Sequence, residues 1–338
     1  MHLLRYFSII AVIVVIGLCI RQGQPHYQTF KGNIFGTVYH IKVRTSQKDA
    51  SLHDKIKAEL ALINAQMSVF ETDSEVSQIN KAPRNRRINL SENMSYLLRQ
   101  AQTVYRQSEG AFDPTISPLI DAWGFGPDKQ AKIPTRKQIK KILQYTGFNK
   151  LRFDKSYKTI RKDDERISLN LSAIAKGYGV DKIAELLEYS GYRNYVVEIG
   201  GEIRVSGFRD DKGTMWTVGI SEPAEKGANA MVLDMTNRSV ATSGDYRNYR
   251  TDENGKRYSH TISPQTGLPV YDKLASVTVF TKHCIDADAY ATAMMSMGYD
   301  KALAFADKHK IAAIFFIHTE EGGFTKAYSA SARQQMGE

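Results

Sequence analysis

The sequence predicts an α+β fold, a large and mostly antiparallel sheet with helices packed on it. Segments with strand-like alternation and segments of helical periodicity follow one another without a strict β-α-β rhythm. From Tyr195 to Thr281 nearly every periodic stretch reads as a strand. Neither GxGxxG nor the Walker loop of parallel nucleotide-binding sheets is present.

Taken from the N-terminus, His2 and Arg5 precede an apolar run of 14 residues, Phe7 to Ile20, which Arg21 closes. Bilayer-spanning helices need roughly 20 such residues. Residues 1–21 therefore read as a secretory signal or a marginal membrane anchor, and the remainder as exported. Cys19 stands where a lipoprotein signal places its acylated cysteine, although Leu18 occupies the preceding position, where a small residue is expected. The alternative is a cysteine within an uncleaved anchor. Residues 22–30, with Gly23 and Pro25, read as a linker ahead of a domain spanning 31–335 in two lobes that divide near residue 190.

Thr37 to Arg44 alternates as a strand does, and Ser51 opens an amphipathic helix with Leu52, Ile56, Leu60, Ile63 and Met67 on one stripe. A second helix runs from about Ser91 to Ser108 and stops at Gly110. Ala111 to Gly126 is rich in Pro, Gly and aromatics without a period, the composition of a working loop. A short basic helix follows at Thr135–Tyr145, then strands at Lys150–Asp154, Lys158–Arg161 and Arg166–Leu171, then a helix at Ile174–Tyr189. Seven strand-like stretches come next, from Val196 to Thr281. Helices near Asp286–Met297 and Asp300–Lys308 precede a last apolar strand at Ala312–Ile317.

With 338 residues and 42% apolar content the chain can bury a full core. Cys19 and Cys284 form neither a disulfide framework nor a zinc spacing. The net charge of +10 raises nucleic acid or an anionic lipid surface as partner. Basic residues interleave with acids, as in Lys155 to Arg166, and no aromatic-basic repeat accompanies them, so a solvated basic face near lipid is the reading and nucleic acid is not.

Asp286, Asp288 and Thr292 cluster at a helix start, and oxygen donors so spaced suit a hard cation such as Mg²⁺. The bland alternative is a helix cap by Asp286 with an ordinary acidic first turn. Asn170 to Asp181 carries a strand into a helix with Lys176 and Gly177 in its early turns, a setting that favours phosphate or is simply a capped helix with a solvated lysine. Gly200-Gly201 reads as a tight turn between strands. Thr242 to Asp245 and Tyr258 to Pro264 place hydroxyls and His260 at strand ends; His260 is either a proton acceptor or a structural histidine, and no GxSxG elbow supplies a serine triad.

Eight pieces stand in register: Gly36-Thr37; Met67 to Phe70 with Ser74-Glu75 and Asn80; Ala111 to Pro114 with Trp123 to Gly126; Asn170 to Asp181; Glu198 to Gly201; Ala241 to Tyr246; Ser259-His260 to Gly267 and Pro269; and Asp286 to Ala289 with Thr292. Across nearly the whole exported part this set resembles the ApbE family of FAD:protein FMN transferases, formerly described as thiamine-biosynthesis lipoproteins.

The resemblance implies a T-fold-like α+β domain that moves the FMN half of FAD onto a Thr or Ser hydroxyl of an acceptor protein and releases AMP, with Mg²⁺. By the same carry-over Asp288, Thr292, the carbonyl of Ala173 and the Ala291 position are metal ligands. Phe35, Phe70, Ala111, Phe112, Asp113, Asn170, Lys176 and Ile262 line FAD, and His260 and Asp288 are the catalytic residues. Asn170 replaces a frequent Asp, Ala291 an occasional carboxylate, and Phe35 and Phe70 a frequent Met and Tyr. Acceptors would be subunits of membrane redox complexes or other exported flavoproteins, met on the periplasmic side of the inner membrane. FAD hydrolysis to FMN and AMP, or FAD binding without catalysis, are the rival functions.

Overall fold

A computed structural model describes residues 26–126, 133–221, 223, 229–245, 249–251 and 257–337. The leader, Cys19 and Tyr246 lie outside the described residues.

Strand β1 (Tyr27–Ile34) pairs antiparallel with β2 (Thr37–Arg44). Residues 27–30, expected in a linker, are thus already sheet. Ile34 faces Thr37 across a two-residue loop in which Phe35 (φ 51°) and Gly36 (φ 73°) are both left-handed, the turn whose twist suits a hairpin. Helices α1 (Leu52–Met67) and α2 (Glu75–Lys81) follow, then the short strand β3 (Ile88–Asn89) and α3 (Glu92–Gln107), which Ser91 caps through the Met94 amide.

The loop expected from Ala111 to Gly126 contains a short helix, α4 (Ser117–Ala122), with Pro118 in its first turn. Helix α5 (Arg136–Leu143) starts on a capping box between Thr135 and Gln138. Strands β4 (Leu151–Phe153) and β5 (Thr159–Lys162) join β3 in a small sheet. Residues 166–171 form no strand there; Ser168 makes a single bridge to Ile116.

After α6 (Ser172–Tyr189) come β6 (Tyr195–Ile199), β7 (Glu202–Ser206), the hairpin β8 (Trp216–Ser221) and β9 (Asn229–Met235), then β10 (Arg238–Gly244), β11 (Tyr249–Thr251) and β12 (Arg257–Ser259). Strand β13 (Leu274–Thr281), helices α7 (Cys284–Met297) and α8 (Tyr299–Lys308), strands β14 (Ala312–His318) and β15 (Phe324–Tyr328) and helix α9 (Ala330–Met336) complete the chain. The strand expected to be last is thus followed by a further strand and helix.

Eight strands form the main sheet in the order β1-β2-β6-β7-β10-β13-β14-β15, every neighbouring pair antiparallel. Its central strands are covered on both faces. Ala313, Phe315 and Ile317 of β14 join the α7 and α8 side chains in one core, while Ala312, Ile314 and Phe316 join Trp216, Val218 and Ala332 in another. That double burial makes β14 read as an unbroken apolar run from Ala312 to Ile317 instead of an alternating one.

Candidate active site

The site is built where α6 and α7 cross. Gly177 permits the crossing: a Cβ there would lie 2.4 Å from the Cys284 carbonyl oxygen and 2.8 Å from the Asp288 Cβ. The N-terminus of α7 is capped from α6, since the Asp181 carboxylate accepts from the amides of Cys284 (3.0 Å) and Ile285 (2.9 Å). Arg204 on β7 holds the same carboxylate at 2.9 Å. The alternative reading of Asp286 as the helix cap is corrected here, because Asp181 supplies that anion.

Asp288 is therefore presented one turn into α7, 3% exposed. Its Oδ2 accepts from the Gly177 amide at 2.9 Å, and its Oδ1 lies 3.5 Å from the Lys176 Nζ. Lys176 donates more closely to Glu202 Oε1, at 2.7 Å. Burial opposes the Lys176 charge, but the Asp288 and Glu202 carboxylates outweigh it and hold the ammonium above the ordinary lysine range. Burial pushes Glu202 up to about 7, with Lys176 pulling it down and Asp288 pushing it up.

Around this ion cluster lies a cavity of about 370 Å³ lined by Ala111, Phe112, Asp113, Asn170, Ala173, Lys176, Glu202, His260, Ile262, Asp288 and Thr292. A second cavity, about 720 Å³ and largely apolar, is walled by Phe35, Thr37, Met67, Val69 and Phe70. Both are lined by Asn170, Ser172 and Lys176, so they adjoin at the start of α6. The left-handed hairpin tip sets Phe35 against α6, where Gly179 makes room: a Cβ there would be 2.8 Å from the ring. Phe70 is 75% exposed at this second cavity.

The expected site residues thus converge, with one exception. Ala291 is fully buried in the apolar core with Ala241 and Met294 and lines neither cavity. Asp113 lines the first cavity, yet its carboxylate is engaged locally: Oδ1 accepts from the Thr115 amide (2.8 Å) and hydroxyl (2.7 Å), and Oδ2 from the Phe148 amide (3.3 Å). Ser296 on α7 fastens the loop by donating to the Ala111 carbonyl at 2.5 Å. His260 stands edge-on to Phe125 at 6.4 Å between ring centres, while burial raises the Asp245 carboxyl against the pull of His318 and, least, of His260.

The sequence profile described as the ApbE family matches residues 35–315, most of the chain. The chain belongs to the ApbE family. It is 38% identical over 336 residues to the FAD:protein FMN transferase of Haemophilus influenzae, covering 96% of each chain. It is 36% identical over 306 residues to that of Vibrio cholerae, covering 89% of this chain and 90% of the relative. Among solved structures, the flavin transferase ApbE from Vibrio cholerae superposes with a TM-score of 0.84 at 33% identity, covering 92% of this chain and 99% of that one. The apo flavinyl transferase ApbE of Pseudomonas stutzeri gives 0.85 at 32%, covering 93% and 98%.

In this ApbE-family chain the oxygens able to hold a cation are few. Among the described residues no group of three or more His, Cys, Asp or Glu forms a metal cluster. Asp288, Thr292 and Ala173 line one cavity and between them could offer a carboxylate, a hydroxyl and a main-chain carbonyl, an all-oxygen set of the kind hard cations prefer. The Gly177 amide, whose regular helical partner is the Ala173 carbonyl, donates to Asp288. The site sets one ammonium against two carboxyl groups, and among the described residues Glu202 Oε2 is buried with no hydrogen-bond partner. These residues fit a divalent cation. Glu202 and Ser296 were not among the expected site residues; only the position of Glu202 directly after Gly200-Gly201 signalled it.

Proposed function

We propose that this chain transfers the FMN half of FAD to a Thr or Ser hydroxyl of an exported or membrane-bound acceptor protein, in the presence of Mg²⁺, and releases AMP. The observation that carries this reading is the pair of adjoining cavities. One is apolar and within the size range of small-molecule sites, and the other holds Lys176, Asp288 and Glu202; they meet where the N-terminus of α6 favours phosphate. The relatives at 36–38% identity are FAD:protein FMN transferases, which agrees with it.

In this reading Phe35 and Phe70 flank the flavin, and Lys176 with the first amides of α6 orients the pyrophosphate. The acceptor oxygen bonds to the FMN-side phosphorus, the phosphorus–oxygen bond to AMP breaks, and His260 takes the hydroxyl proton. Mg²⁺ held by Asp288, Thr292 and the Ala173 carbonyl would neutralise the pyrophosphate and the charge developing on the leaving phosphate. We place the reaction on the periplasmic side of the inner membrane, because residues 1–21 have the pattern of an export signal or anchor.

The test is mass spectrometry of an acceptor domain incubated with residues 26–338, FAD and Mg²⁺. An EDTA-sensitive gain of one FMN on Thr or Ser is expected, and Asp288→Ala abolishes it while circular dichroism stays native. Free FMN and AMP with an unmodified acceptor would make the enzyme a hydrolase, and intact FAD a binding protein.

A further inference from the structure

Glu202 opens β7 directly after the Gly200-Gly201 turn, in which both glycines have positive φ (62° and 100°) and Ile199 pairs with Glu202. The Gly200 amide bonds to the Val38 carbonyl at 3.0 Å and the Gly201 amide to Glu198 at 2.9 Å, so the backbone that carries Glu202 is fixed from two sides. Its side chain is 3% exposed and faces the cavity that Asp288 lines. The Lys176 ammonium therefore has two carboxylates within reach, and the geometry is unequal: 2.7 Å to Glu202 and 3.5 Å to Asp288. A buried carboxylate left alone with that lysine would close on it as a direct ion pair.

We infer that Glu202 is a positioning residue that draws Lys176 away from Asp288, leaving the Asp288 Oδ1 available to the divalent cation. This rests on the cation reading proposed above and deepens it. Glu202 acts through Lys176, and is not itself a ligand in the manner of Asp288. A residue that orients a ligand indirectly typically changes metal affinity by about 10–100-fold. Its distinguishing signature is that removing Lys176 makes Glu202 dispensable.

Mn²⁺ binding to the purified protein without FAD, followed by electron paramagnetic resonance, tests this independently of activity. Glu202→Gln, nearly isosteric, is expected to weaken Mn²⁺ binding by roughly tenfold or more, and Lys176→Met in that background to restore it to within about threefold of the parent. Thermal melts of both variants check that they fold; should Glu202→Gln unfold, Glu202→Asp with and without Lys176→Met carries the same comparison. Affinity unchanged in Glu202→Gln overturns the inference and leaves the cation site standing. A double variant as weak as the single one overturns it in favour of direct ligation. Absence of Mn²⁺ binding by the parent protein overturns both the inference and the cation reading beneath it.

Discussion

Asp113 lines the cavity, but its carboxylate holds the protein's own loop: it accepts three hydrogen bonds from Thr115 and Phe148. Burial nevertheless dominates and pushes its pKa up to about 6. A carboxyl that binds its proton more tightly folded than unfolded contributes stability that is complete below the ordinary value of about 4 and lost as pH rises through about 6. Wild type should therefore lose on the order of 2–3 kcal/mol relative to Asp113→Asn between pH 4 and pH 7. Urea unfolding of both proteins across that range checks it; parallel curves would show that the loop does not bury the charge. The resemblance pointed to Asp113 through its motif, whereas no local pattern could disclose that Thr115 and Phe148 take its oxygens. Glu202 was harder still, because its partners, Lys176 and Asp288, lie 26 and 86 positions away in the chain.

At the scale of elements, the crossing of α6 and α7 depends on Gly177. Alanine would gain about 1 kcal/mol in helix propensity. Against that, its Cβ would meet a backbone carbonyl at 2.4 Å, which no side-chain rotation relieves, and overpacking of this kind costs about 1–3 kcal/mol. Gly177→Ala is expected to be net destabilising in chemical denaturation and to lose Mg²⁺-dependent transfer, since the second clash is with Asp288 itself. Gly323→Ala, where the nearest atom is the Thr319 hydroxyl at 3.4 Å, is the neutral control. The elements legible in the sequence are those with one buried face. Strand β2 alternates, and the α1 stripe of Leu52, Ile56, Leu60, Ile63 and Met67 is buried as its spacing requires. The edge strands were not legible: β1 buries only Phe30, and β15 buries no residue fully. An edge strand that faces solvent carries little apolar signal. Helix α4, six residues long, lacks the two turns over which periodicity can show.

Across the whole molecule, the two cavities draw on distant parts of the chain: the β1–β2 tip, the end of α1, the loop after α3, the starts of α6 and β7, and α7. FAD with its cation would therefore bind only the assembled fold. At about 100 times Kd such a ligand stabilises by about 2.7 kcal/mol. For a chain of this size the melting temperature should rise by about 4 °C with FAD and Mg²⁺ and return to baseline on adding EDTA. A rise that persists in EDTA would separate FAD binding from the cation. The fold class was legible because the strand-rich stretch after Tyr195 does supply β6, β7, β10 and β13 of the main sheet. The neighbour order within that sheet was not, since β2 meets β6 across a gap of some 150 residues.

The hydrogen bond from the Gly177 amide to Asp288 joins the two helices at the very carboxylate on which chemistry would depend. Only when α7 has seated on α6 do its carboxylate and the oxygens of Ala173 come to one place. Until that docking the Asp288 carboxylate lacks the Gly177 amide that holds it at the cavity. Folding of the C-terminal third and completion of the candidate site are therefore one event.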